Sequence, residues 1–166
     1  MKTKFLFLIG LSTLLFHCST EEDVTKKSPL WGVEFSEEST ATFVQGTLEQ
    51  QNAGPKVTYI VNAGALRQTD VEGVYTISFA FENGESMELA VTKKTSDYNY
   101  HFPGNASENQ LISAVFNGSA LDLTESSIAI QPHQEENKLH IITNMHTLNA
   151  GDFNGILTRI PLLKGN

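Results

Sequence analysis

The sequence predicts an all-β fold, an antiparallel β-sandwich of about nine or ten short strands, with a closed β-barrel as the alternative. Three observations predict it. Beyond Trp31, β-branched and aromatic residues gather in runs of about five to nine, divided by Gly, Asn and Pro. Apolar and polar residues alternate within those runs, the period of a strand with one buried face. The runs recur at spacings near a dozen residues, the rhythm of sandwiches and barrels, and no long helical pattern follows the N-terminal segment.

In chain order, "TATFVQGTLE" (Thr40 to Glu49) reads as a strand with a bulge at Gly46. "KVTYIVN" (Lys56 to Asn62) sets Val57, Tyr59 and Val61 on one face. "VYTISFAFENGESMELAV" (Val74 to Val91) is a hairpin whose register can be argued. A two-residue Asn83-Gly84 turn would put the apolar sets of its strands on opposite faces. A three-residue loop, Glu82-Asn83-Gly84, pairs Phe79 with Met87, Ile77 with Leu89 and Tyr75 with Val91. One residue of slip flips every side chain, so the apolar pattern selects the longer loop.

"SDYNYHF" (Ser96 to Phe102) aligns Tyr98, Tyr100 and Phe102 and stops at Pro103-Gly104. "QLISAVFNGSALDL" is a second hairpin about Asn117-Gly118. "SSIAIQ" and "KLHIITNM" form a third pair, joined by the polar loop "PHQEEN". "DFNGILTRI" is the last strand and ends at Pro161.

The chain has 166 residues, which suits one domain. Its formal net charge of −8 and the absence of a basic stripe exclude nucleic acid as a partner. A single cysteine, Cys18, permits no intrachain disulfide and no zinc motif built on several thiolates.

Lys2 and Lys4 precede "FLFLIGLSTLLF", Phe5 to Phe16, twelve residues without a charge. A spanning helix needs about 20 apolar residues, so the run is too short to cross a bilayer. A basic start, an apolar centre and a processing site make a signal peptide. "LFHC" resembles a bacterial lipobox. Leu15 stands at the usual leucine position, while His17 departs from the Gly, Ala or Ser that commonly precedes the cysteine. A conventional cut after Thr20 and an uncleaved anchor are the two other readings.

The organisation is therefore a lipoprotein signal over residues 1–17, a lipidated Cys18 with a flexible acidic tether over 18–29, and one β domain over 30–166. Removal of Lys2 and Lys4 takes the charge from −8 to −10. Glu21, Glu22 and Asp23, soon after the cysteine, are similar to the surface-export signal of Bacteroidetes lipoproteins. With "GDFNGI" near the C-terminus, the layout resembles the small surface lipoproteins of that phylum. The resemblance implies location at the outer membrane or cell surface and a single β domain, with the membrane engaged through acylated Cys18. Two or more acyl chains suffice for stable anchoring.

Catalytic signatures are missing: no phosphate-binding glycine loop, no G-x-S-x-G and no H-E-x-x-H occur. His101, His133, His140 and His146 read as surface residues, since a metal site would require distant segments to converge. Glu72, Glu88, Asp97, Asp122 and Asp152 could supply a glycosidase pair, but their spacing selects none. The sequence thus predicts no catalytic residues, no metal and no cofactor. Tyr98, Tyr100 and His101 in "DYNYHFPGN", together with Trp31, are the candidate contacts for a carbohydrate or protein partner. The expected role is non-catalytic binding, adhesion or structure. A barrel carrying a small apolar ligand is the second reading, and a glycoside-acting hydrolase ranks below it.

Overall fold

The structure, a computed structural model, describes residues 30–133 and 136–165; the signal segment, Cys18 and the tether lie outside the described residues. A short 3-10 helix, Glu38–Phe43, leads into the strands. They are β1 (Gln45–Gln51), β2 (Val57–Gln68), β3 (Val74–Phe81), β4 (Ser86–Thr92), β5 (Asn99–Phe102) and β6 (Gln110–Phe116). β7 (Ser119–Ala120), β8 (Ser126–His133), β9 (Lys138–Thr147), β10 (Gly151–Ile160) and β11 (Leu162–Leu163) follow.

The hydrogen-bonded order is β1-β10-β9-β8-β5-β6-β4-β3-β2, and β2 pairs back onto β1. The all-β expectation holds, and of the two architectures the closed barrel forms in place of the sandwich. β1 decides it. Gln45 to Gln51 pair with Thr158 to Asp152 of β10, while Thr47 to Gln50 pair with Ile60 to Val57 of β2. β2 turns the corner: its first part pairs with β1, and from Val61 it pairs with β3, with a register shift between Val61 and Ala63. Such an irregularity bends a strand and raises its twist, as closure requires. Alternation along a strand is the same in a sandwich and a barrel, so this difference had no signature in the apolar pattern. Two neighbours are parallel, β5 with β6 and β11 with β2.

The closing seam is lined by glycine. A Cβ on Gly155 of β10 would strike the Thr47 carbonyl of β1, and one on Gly46 would strike the Ile156 carbonyl. Gly46 also has φ +133°, a conformation L side chains rarely adopt. The bulge expected at Gly46 is thus a point of close approach between strands.

Alternate residues point inward. Tyr75, Ile77, Phe79 and Phe81 of β3, Met87, Leu89 and Val91 of β4, and Leu139, Ile141 and Met145 of β9 are all buried. The β3–β4 register pairs Phe79 with Met87, Ile77 with Leu89 and Tyr75 with Val91, as the apolar pattern selects. The loop is closed by Gly84 N–H donating to Phe81 O at 3.0 Å and Phe81 N–H donating to Glu85 O at 2.9 Å. Asn117 and Gly118, both at positive φ, make the two-residue turn between β6 and β7. Two expectations shift. Thr40 to Phe43 lie in the 3-10 helix and not in the first strand, because the Thr40 amide and hydroxyl both donate to Glu37 O. Val57 is exposed, whereas Tyr59 and Val61 face the interior.

Each end of the interior is filled by aromatic rings. At one end Tyr59, Phe81 and Phe116 are in mutual contact and Phe153 joins them through Phe116, with centroids 5.2 to 6.4 Å apart. At the other, Trp31 packs edge-on against Tyr75 at 4.8 Å. Trp31 and Val33 are buried on a strap that crosses this end. The strap is held by Glu34 N–H donating to Asn137 Oδ1 at 2.6 Å and Ser36 N–H donating to Leu162 O at 2.7 Å.

Replacement of Gly155 by alanine is expected to lower stability by about 1–3 kcal/mol, as overpacking a fixed contact does. Gly54, with nothing within 4 Å of its Cβ position, is the control, and its alanine variant should stay within about 0.5 kcal/mol of the parent. Urea unfolding of both variants measures the difference.

Candidate functional site at the strapped end

The strap end gathers most of the chemistry of the described residues. Lys93 follows β4 and is only 3% exposed. Its ammonium donates to Asp97 O and stands 5.4 Å from the rings of Trp31 and Tyr98 and 5.6 Å from that of Tyr100. Three rings and one carbonyl thus replace water around a cation, an arrangement that cation–π attraction favours. Burial lowers the Lys93 pKa, and the Asp97 charge works against that shift.

Asp97 organises the neighbouring turn. One carboxylate oxygen accepts from Tyr98 N at 2.6 Å and from Asn99 N at 3.1 Å, and these bonds hold its pKa below the ordinary value. Asn109 is buried and carries the other half of the turn. Its Oδ1 accepts from Lys94 N and Thr95 N, and its Nδ2 donates to Asp97 O.

The four contact residues named from the sequence separate in space. Tyr98 is 41% exposed, with its ring over Lys93. Tyr100 is wholly buried in the barrel, and burial pushes its hydroxyl far above the usual range, against a smaller opposite pull from the Trp31 indole. Trp31 is the plug. His101 lies on the outer wall, exposed, where it lines a cleft of about 430 Å³ with Phe102, Pro103, Glu108, Glu125 and Ser126. Tyr98, Tyr100 and Trp31 therefore meet around Lys93, and His101 does not join them. Alternation placed Tyr98 and Tyr100 on one face. It could not show that β5 begins only at Asn99, which leaves Tyr98 on the rim.

No family model, curated protein or solved structure matches the chain.

A second group of side chains at this end escaped the sequence reading. His133 ends β8 and His140 lies in β9. The register pairs Gln131 with His140 and His133 with Lys138, so the two histidines are diagonal neighbours on one face of the hairpin. Their rings stack at 4.8 Å and 19°. Glu136 in the connecting loop folds back to them, with Oε2 4.0 Å from His133 Nδ1 and 3.9 Å from His140 Nε2. Arg159, at positive φ beside the β10 irregularity, brings Nε to 3.8 Å from the same oxygen. Spacing carried a signal here, H-x-x-E-x-x-x-H, but its meaning depended on the hairpin register.

The five acidic residues considered for hydrolysis are spread over the barrel. Glu72 and Asp97 are at the strap end, and Glu88 is on the outer wall of β4. Asp122 and Asp152 are near the opposite loops, where Asp152 Oδ1 contacts His146 Nδ1 at 2.9 Å.

Trp31 is the sole tryptophan, so its emission reports the plug directly. Emission blue-shifted from that of free tryptophan and resistant to iodide is expected. Trp31→Ala should cost about 3–5 kcal/mol in urea unfolding. Red, fully quenchable emission would instead make Trp31 an exposed contact residue.

Proposed function

We propose that the protein is a lipid-anchored lipoprotein of the bacterial outer membrane or cell surface, whose barrel is a non-catalytic platform for binding or adhesion. The observation that carries the platform reading is the filled barrel. Aliphatic side chains occupy its middle and aromatic clusters occupy both ends. A carrier of small apolar ligands needs an interior cavity of several hundred cubic ångströms. Recognition on this reading falls to the loops and the outer wall.

Chain geometry supports an orientation. The described chain enters at Leu30 and Trp31, on the strap end, so a tether from Cys18 leaves the barrel there. The loops at 52–56, 82–85, 117–118 and 148–150 are then held away from the membrane. Apart from Lys56, every Lys and Arg of the described residues (Arg67, Lys93, Lys94, Lys138, Arg159, Lys164) lies toward the strap end. Glu82, Glu85, Asp122 and Asp152 mark the opposite end. The strap end also carries Glu34, Glu37, Glu38, Asp70, Glu72, Asp97 and Glu136, so the orientation rests on where the chain enters and not on charge. Among the described residues no helix is long and apolar enough to cross a membrane. The outward loops are knitted together: Ser86 N–H and Asn117 Nδ2 link the β3–β4 and β6–β7 turns, and Gln50 Nε2 donates to Ala150 O. A carbohydrate or protein partner is the occupant such a surface would take.

Intact-mass analysis of the processed protein tests the anchor, with and without an inhibitor of lipoprotein signal peptidase. An acylated Cys18 as the first residue is expected. Cys18→Ala should move the protein from the membrane to the soluble fraction with its melting temperature unchanged. An unmodified N-terminus beyond Cys18 would refute the anchor. Saturable uptake of a fluorescent fatty acid would refute the filled platform in favour of the carrier.

A further inference from the structure

We propose that His133, Glu136 and His140 form a divalent-metal site at the tip of the β8–β9 hairpin, with zinc the ion its donors suit. The ligand atoms of the three residues lie within 4.8 Å of one another. His133 Nδ1 and His140 Nε2 are shielded from solvent and have no hydrogen-bond partner. Both stand at the same carboxylate oxygen, 4.0 and 3.9 Å away, too far to bond to it. Buried polar atoms are nearly always paired, and two orphaned imidazole nitrogens converging on one carboxylate describe a place for a cation.

The donor set fits. Two imidazoles and one carboxylate bind zinc at about 2.0–2.2 Å, which puts tetrahedral donors about 3.3 Å apart. Closing from the present separations takes roughly an ångström of side-chain rotation. The side chains are 40%, 37% and 30% exposed, so they have room to rotate. Three protein ligands leave a fourth position open to water or a ligand. Glu136 also borders a cleft of about 320 Å³ with Thr40, Phe43, Lys138 and Arg159, which gives the ion a way in. Arg159 is the opposing group. Its Nε, 3.8 Å from Glu136 Oε2, balances the carboxylate, and its half-exposed side chain can withdraw when an ion takes that role. Asn137 and Lys138 of the same hairpin bond Glu34 and Ser36 of the strap, so the ion would brace the structure that plugs the barrel.

Zinc is titrated, in competition with a fluorescent chelator, into the full chain carrying His17→Ala and Cys18→Ala, so that the signal segment offers no imidazole or thiol. One equivalent is expected to bind. His133→Ala and His140→Ala should each weaken it by no less than the roughly 10–100-fold that loss of a supporting group costs at such sites. His146→Ala, whose ring contacts Asp152, should leave it unchanged. Trp31 emission identifies any variant that has lost its fold. As a measurement without mutation of the site, imidazole NMR signals of His133 and His140 should shift on adding zinc while those of His101 and His146 stay. Absence of a one-equivalent site, undiminished binding in the His133→Ala/His140→Ala double variant, or shifts confined to His101 and His146 would overturn the proposal.

Discussion

β1 is hydrogen-bonded along both edges, to β10 and to β2, and the rest of the barrel depends on that double pairing. Without it β2 and β10 would be exposed strand edges, the usual templates for unwanted pairing between chains. The seam can close because Gly46 and Gly155 let two backbones approach where a Cβ would collide. Closure then defines an inside. Residues at alternate positions meet across the barrel, Tyr59 to Phe81 and Phe116, and Phe116 to Phe153, at one end and Trp31 to Tyr75 at the other. The strap reaches β1 only after crossing the open end, which is why its Trp31 and Val33 become core residues.

Much of this was legible in the sequence, and the part that was not has a physical reason. The β3–β4 register followed from alternation, since a slip would have exposed Ile77 and Leu89. The Asn117-Gly118 turn followed from the tolerance of those residues for positive φ. Pro161 marked the end of β10. These are local rules with a period of two. Closure is not local: Thr47 meets both Ile60 and Ile156, thirteen and more than a hundred residues away. The strap was half visible. Trp31 stood out as a large aromatic residue, but nothing in "WGVEF" says that it and Val33 turn inward. The His133, Glu136 and His140 group was missed for the same reason. Imidazoles seven residues apart become neighbours only when a hairpin folds between them.

The two ends of the barrel are chemically unlike, and that asymmetry gives the functional reading its shape. The strap end holds a caged ammonium, most of the cations and the hairpin tip with its two orphaned imidazole nitrogens. The opposite end holds acidic turns tied to one another by Asn117, Asn149 and Gln50. A filled barrel is rigid and offers only its surface. Tying one end to a membrane would present the other end as a fixed set of loops, and the interior would contribute stability alone.

Closure itself is the claim on which the interior, the plug and both ends rest. Nuclear Overhauser contacts across β1 test it most directly. The closed barrel predicts that Leu48 shows backbone contacts to Tyr59 on one side and to Gly155 on the other, with slowly exchanging amides along both edges of β1. Contacts on one side only, with rapid exchange on the other, would make β1 an edge strand and return the fold to an open sandwich.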